Sequence, residues 1–218
     1  MSKRLTSLTE DERFTDDTAI SIGCDTDPFL PDITPVTAQV LDFFKDKNNP
    51  IQIASKLLVP PEVRKAIKDR GSDKSAVMLS VSITALRSAA LIEPGAPLPW
   101  ERATNFLLSP REDNIYPIAM MKPYRRGTVS EVDGFVNLYA ELPPQSIIIG
   151  KLIAKAREAD RKTYPPFALD PSRHHIPLPD EAMKFASLLT DGLEEKGICV
   201  PIHHSAAEAL FQYTKKRG

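Results

Sequence analysis

SDKSAVMLSVSITALRSAALI, from Ser72 to Ile92, contains the longest apolar stretch of the chain, and its reading decides the fold. Ser72-Asp73 supplies a helix start and Pro94 a stop. Between Ala76 and Ile92 the apolar run is broken by hydroxyl side chains and Arg87, and it is shorter than the roughly 20 residues a bilayer span needs. Read with a period of 3.6, its apolar positions cover most of a helix's circumference. Such a helix belongs in the middle of a bundle, and its Ala, Ser and Val content lets neighbouring helices approach closely. The expectation is therefore one buried helix carrying Val77, Leu79, Val81, Ile83, Leu86 and Ala90.

Outward from this stretch, proline punctuates the chain. Twenty prolines in 218 residues fall between helix-like windows and almost never inside them, many of them paired or closely spaced, as at Pro60-Pro61, Pro143-Pro144 and Pro165-Pro166. Proline lacks the backbone N–H and biases its predecessor away from helix, so it ends helices but is tolerated in their first turn. Thr34-Pro35 opens a helix with an apolar stripe of Val36, Val40, Leu41, Phe43 and Phe44. A second short helix is expected over Ile51–Leu58 and a third from Pro60 to Gly71. Trp100–Leu108 forms another. Thr128 and Glu131 fit a capping box before Val132, and Ile147–Lys162 reads as a helix. Pro179-Asp180-Glu181 starts a helix that ends near Gly197, and Ser205 with Glu208 starts the last. Residues 1–33 differ: acidic residues outnumber basic ones, and only Thr18–Cys24 alternates weakly as a strand would. The polar, proline-interrupted passage 109–127 reads as a boundary. The expected fold is mainly α: an acidic, extended N-terminal arm (1–33), an N-terminal helical lobe (34–112) and a C-terminal helical lobe (113–218), a bundle of short helices with proline-rich turns.

Charge and motif content narrow the function classes. Net charge is -1, with 28 basic and 29 acidic residues, so no global field draws the chain to nucleic acid or to an anionic membrane. Cys24 and Cys199 are too few for a disulfide framework. The N-terminal residues contain no apolar signal core. The expectation is a soluble intracellular protein without a membrane span. No phosphate-binding loop, dinucleotide glycine motif, nucleophile elbow, paired-histidine zinc motif or EF-hand loop occurs, which lowers the expectation of an enzyme. No cofactor is expected.

Four features carry candidate chemistry. His174-His175 and His203-His204 are two pairs, with Cys199 four residues before the second. Imidazole and thiolate suit zinc, but adjacent residues on a helix point about 100° apart, and both pairs sit in proline-bounded loops. Surface or capping roles outweigh a metal there. Asp25 and Asp27 could face one divalent cation from an extended segment, yet a solvated turn before Pro28 explains them more simply. Lys122-Pro-Tyr124-Arg125-Arg126-Gly127 sets two guanidinium groups and an aromatic ring in one loop, a composition suited to phosphate and base stacking. Lys151, Lys155 and Lys162 would lie along one face of the helix expected over 147–162, next to the Arg157 and Arg161 pair. The competing reading of both basic groups is an ordinary solvated face. Residues 34–93 resemble a degenerate helix-turn-helix only poorly in spacing, and Arg87 is the one basic residue along 75–92, too few to read DNA.

The sequence thus points to a non-enzymatic interaction or assembly protein. It would associate with copies of itself or another protein and bind single-stranded nucleic acid through Lys122, Tyr124, Arg125, Arg126, Lys151, Lys155 and Lys162. A small viral coat or nucleocapsid protein has this profile. The alternatives are a helical enzyme built on the histidine loops and a transcriptional regulator.

Overall fold

A computed structural model of the 218-residue chain describes residues 2–12, 14–23, 26–70, 77–122, 124–125, 127–150, 153–155, 166–167, 170–175, 180–203 and 205–215. Its elements alternate. Helix α1 (Ser2–Thr9) precedes β1 (Ile20–Ile22), α2 (Thr34–Phe43), β2 (Ile51–Ser55), α3 (Pro61–Lys68) and β3 (Val77–Ser82). Two short helices follow, α4 (Ala89–Ile92) and α5 (Pro99–Ala103), with a 3-10 turn at Thr104–Leu107. Then come β4 (Ile115–Met121), a 3-10 turn at Thr128–Glu131, α6 (Val132–Glu141), β5 (Ile147–Ile149), β6 (Ile153–Lys155), β7 (Pro166–Phe167) and β8 (Asp170–His175). The chain closes with α7 (Asp180–Glu194), β9 (Ile202–His203) and α8 (Ala206–Lys215).

The main sheet has six strands in the order β1-β2-β3-β4-β5-β9, and every neighbouring pair is parallel. This is an α/β architecture and overturns the mainly α bundle. The decisive error lies at Ser72–Ile92. Val77–Ser82 is a strand buried on both faces, and a central parallel strand shows a continuous apolar run rather than alternation. Such a run is indistinguishable by periodicity from a buried helix. Of the residues expected on one buried helix, Val77, Leu79 and Val81 alternate on β3, Leu86 is half-buried in the loop beyond it, and Ala90 is exposed on α4. The helices expected over Ile51–Leu58 and Ile147–Lys162 are likewise replaced where the chain is described, by β2 and by β5 and β6. The helix-turn-helix reading falls with them. The lobe boundary drawn at 109–127 contains β4, which pairs with β3 on one side and β5 on the other, so one sheet runs through it. Residues 20–22 of the acidic arm form its first strand.

Strand order dictates the layering. Parallel crossovers are right-handed, so strands laid down in sequence put every connecting helix on one face. Ile51, Ile53, Val77, Leu79, Val81, Ile115, Ala119, Ile147 and Ile149 accordingly form one core with Leu41, Val63, Ile67, Phe135, Phe185 and Leu189 of the crossover helices. The opposite face carries Gln52, Ala54, Met78, Ser80, Ser82, Ile118, Met120 and Ile148. Among the described residues α8 covers part of it, through Ala209 and Leu210 packed on Met78, Ile118 and Ile148. This wiring is that of a β/α barrel, here with six strands, and among the described residues no pairing closes β1 onto β9. A separate three-stranded antiparallel sheet, β6-β8-β7, branches off between β5 and α7. Among the described residues no helix is long and apolar enough to cross a membrane.

Burial on both sides makes β3 the most sensitive element. Leu79→Ala should cost about 2–5 kcal/mol, measured by urea unfolding, because neither face can collapse freely into the void. Leu86→Ala should cost clearly less, since Leu86 is only partly buried. Equal losses at the two positions would contradict this placement.

Candidate functional site

Ligands of parallel α/β sheets sit beyond the carboxyl ends of the strands, where loops of several crossovers converge. At that edge, on the face that lacks crossover helices, lies a cavity of about 310 Å³. Ala54, Ser82 and Met120, from the ends of β2, β3 and β4, form part of it. Gly23, Thr26, Asp27, Ser55, Lys56 and Lys122 complete the lining.

Two tight approaches shape one wall. Gly23 has φ +92°, and a Cβ there would lie 2.3 Å from the Ala54 carbonyl oxygen, so only glycine lets the β1–α2 loop pass this close to β2. The loop is then pinned by Asp27. Its Oδ1 accepts from Ser55 Oγ at 2.8 Å and from the Phe29 N–H at 3.0 Å, and its Oδ2 accepts from the Lys56 N–H at 2.8 Å. Ser55 Oγ in turn accepts from the Leu57 N–H at 2.8 Å. The Asp27 carboxylate is therefore committed to holding two loops together.

The other wall is basic. Lys122 follows β4 and is exposed. Its stem lies against Gly150, beyond β5: a Cβ on Gly150 would meet Lys122 Cδ and Cγ at 3.1 Å. Lys56 Nζ lies 3.0 Å from Glu93 Oε1. Glu93 Oε2 accepts from Nη1 of Arg102, whose side chain is 1% exposed. Arg102 also donates from Nη1 to the Ser82 carbonyl at 3.0 Å and from Nε to the Pro97 carbonyl at 2.6 Å. Burial raises the Glu93 pKa, but the hydrogen bonds and charges of Arg102 and Lys56 outweigh it and hold the carboxyl below the usual glutamate range. A further carboxylate, Glu131, accepts the Leu86 and Arg87 N–H groups at 2.7 and 2.9 Å and fixes the loop after β3. The capping box expected at Thr128 and Glu131 does not form, because Glu131 is spent on this longer reach.

The residues selected from sequence scatter. Lys122 lines the cavity and Arg125 is exposed nearby. Tyr124 is not the exposed stacking ring that was expected: it is 9% exposed, packs on Phe185 with ring centroids 5.7 Å apart, and its hydroxyl reaches Glu181 Oε1 at 3.4 Å. Burial, with the Glu181 carboxylate beside it, pushes that hydroxyl pKa up. Lys155 lies on strand β6, opposite Arg173 of β8, not on a helix face. Arg126, Lys151 and Lys162, with Arg157 and Arg161, lie outside the described residues. So do Asp25, Cys24 and His204. His174 and His175 are on β8, with side chains outside the described set. His203 Nδ1 is 3.7 Å from Glu208 Oε1, and Cys199 is exposed and free. Among the described residues no three His, Cys, Asp or Glu side chains gather as metal ligands would. Gly23, Ser55, Lys56, Glu93, Arg102 and Gly150 were not singled out from sequence. Pro94 marks the stop beside Glu93, but nothing local shows that Arg102 folds back on it. No protein-family model matches the chain, and no curated protein sequence matches it.

The Glu93 ion pairs give stability a definite pH dependence. The folded pKa lies below the unfolded one, so their contribution is complete above about pH 4.3, the ordinary glutamate value. It is lost as pH falls through the lowered folded value. Glu93→Gln should cost about 1–3 kcal/mol at pH 7 by urea unfolding, and the gap to the native protein should narrow below pH 4. A gap that stays constant down to pH 3 would show that Glu93 does not act through its charge.

Proposed function

We propose that the chain binds a small anionic molecule in the cavity at the carboxyl ends of β1–β4. The observation that carries this reading is the convergence of Lys56 and Lys122, from the ends of β2 and β4, on one cavity that Ser55, Ser82 and Thr26 also line. Ammonium groups suit carboxylate or phosphate oxygens, the Thr26 and Ser82 hydroxyls add neutral hydrogen bonds while the Ser55 proton is spent on Asp27, and Ala54 and Met120 leave room for an apolar portion. The chemistry on offer is recognition. Among the described residues the one carboxylate in the lining, Asp27, is occupied by three donors and is not aimed at a substrate.

A second reading keeps the nucleic-acid expectation and is favoured by the exposure of both Lys122 and Arg125 on one short segment. It lacks the aromatic contribution, because Tyr124 is buried. Self-association would draw on Leu91, Leu98, Trp100 and Leu107, apolar side chains exposed along the β3–β4 crossover. Solution mass measured over a concentration series tests that role.

Binding of an anion stabilises the folded state by mass action, by about 2.7 kcal/mol at a hundred times Kd. Inorganic phosphate and simple carboxylates should raise the melting temperature of the native protein, and Lys122→Glu should abolish the rise without lowering the ligand-free melting temperature by more than a few degrees. Arg125→Glu should leave this response intact and weaken only oligonucleotide binding. A phosphate response unchanged in Lys122→Glu would remove the cavity from the function.

A further inference from the structure

Beside the cavity read above as an anion site, on its lining residue Lys56, stands a carboxylate of the protein itself. Glu93 stands in the turn after α4 with its side chain 9% exposed, and one oxygen, Oε1, faces the Lys56 ammonium at 3.0 Å. The two cations that hold Glu93 differ in freedom. Arg102 is 1% exposed and is fixed by the Ser82 and Pro97 carbonyls as well as by Glu93. Lys56 is 47% exposed along its side chain. Only its backbone is anchored, through the N–H donated to Asp27 Oδ2 at 2.8 Å.

Resting on the anion-site reading, we propose that Lys56 and Glu93 form a latch: Lys56 sits on Glu93 in the empty protein and swings to the ligand's anionic group when the cavity fills. The asymmetry above decides which bond gives way. If Lys56 leaves, Glu93 keeps its buried partner Arg102, so no carboxylate is stranded without a counter-charge. If Arg102 left, a buried guanidinium and two carbonyls would be unpaired. An ion pair with one half-exposed partner contributes little, so exchanging it for a ligand anion costs little. The exchange still lowers apparent affinity, because only the fraction of molecules with Lys56 released is fully competent. Lys122 has no such partner among the described residues, and its stem is positioned by Gly150, so it stands ready from the start. The ligand anion thus meets Lys122 first and recruits Lys56 second. Glu93 acts here as a positioning residue, through Lys56.

The test is a titration of inorganic phosphate into the full-length protein, followed by NMR of the Gly23 and Gly150 amides and of the Lys56 side-chain methylene next to nitrogen. Four forms are compared: native, Glu93→Gln, Lys56→Met and the double variant. In the native protein phosphate should move both glycine amides and the Lys56 signal. Glu93→Gln should bind phosphate about threefold to tenfold more tightly, as expected when a competing state is removed. Lys56→Met should bind it more weakly by a similar factor. In the Lys56→Met background, Glu93→Gln should then change nothing, because the latch has lost its moving part. A gain from Glu93→Gln that persists without Lys56 would overturn the latch and leave Glu93 as a mere source of repulsion. A Lys56 signal that stays still while the glycine amides move would also overturn it, yet leave the anion site standing. Amides that do not respond in any form would sink the site itself. Lys56→Met leaves the Glu93–Arg102 pair whole, so the Lys56 comparison survives even if Glu93→Gln fails to fold.

Discussion

Everything in this structure depends on β3 being covered on both faces. Its odd residues, Val77, Leu79 and Val81, meet the crossover helices, and its even residues, Met78, Ser80 and Ser82, face the other way. A parallel strand cannot satisfy both faces with a hairpin neighbour; it needs crossovers on one side and something else on the other. The strands are laid down in sequence, so the crossover helices fill one side only. The second side is closed over Met78 by α8 and left open towards the carboxyl ends of β1 and β2. The change from apolar to polar along the even positions of β3 marks that division. Met78 lies under α8, whereas Ser80 accepts from Gln52 Nε2 at 3.2 Å and Ser82 reaches the cavity.

The two edges of the sheet are built for different purposes. At the amino edge, polar groups are buried and tied to backbone. Arg70, 2% exposed, donates to the carbonyls of Phe44 at 2.6 Å and Asn49 at 2.8 Å, and burial lowers its pKa. Asn49 then reaches the carbonyls of Thr15 at 2.8 Å and Thr18 at 3.0 Å, fastening the segment that leads into β1. Asp113 gathers Arg64 at 2.6 Å, Lys68 at 3.2 Å and the Ser109 N–H at 3.0 Å just before β4. At the carboxyl edge the corresponding groups, Asp27, Glu93 and Glu131, each brace a loop, and the braced loops enclose a void. Conserving rigidity at one edge while shaping space at the other is the usual division of labour in parallel α/β proteins.

What the residues disclosed depended on whether local chemistry or partnership set the structure. Helices α2, α3 and α7 were legible because Pro35, Pro61 and Asp180 mark their starts and one apolar stripe marks their buried face. Strand β1 showed its weak alternation. β3 and β5 did not, since a strand buried on both faces has no polar side to alternate with, and three isoleucines at 147–149 suit helix and strand alike. β2 does alternate, Ile51 and Ile53 buried and Gln52 and Ala54 half-buried, but over too few residues to separate it from a helix turn. Proline misled as well. It was read as punctuation between helices only, yet Pro50 precedes β2, and Pro117 sits within β4, where it pairs with Leu79 of β3. A proline inside a central strand is rare enough to argue against assigning one.

The site was harder to foresee for a reason that follows from the fold. Its charged groups come from 27, 56, 93, 102 and 122, positions spread over four strands and the helices and turns between them, and only the parallel sheet brings them together. Local clustering, the signal that drew attention to residues 122–127, rewards neighbours in sequence. Of that cluster, Lys122 lines the cavity, Arg125 is exposed beyond it, and Tyr124 turns inward to Phe185. Charge spread singly over successive strand ends is the opposite pattern. In a sheet whose crossovers all lie on one face, each strand end can deliver one side chain to the same opening, so a site needs no dense motif. Near-neutral net charge is compatible with that arrangement. Glu93 is balanced by Lys56 and Arg102, Asp27 is matched by backbone and hydroxyl donors, and Lys122 supplies positive charge with no carboxylate partner among the described residues. The electrostatic character of such a cavity is set by which of its charges are already spoken for, a property of pairing that no composition reports.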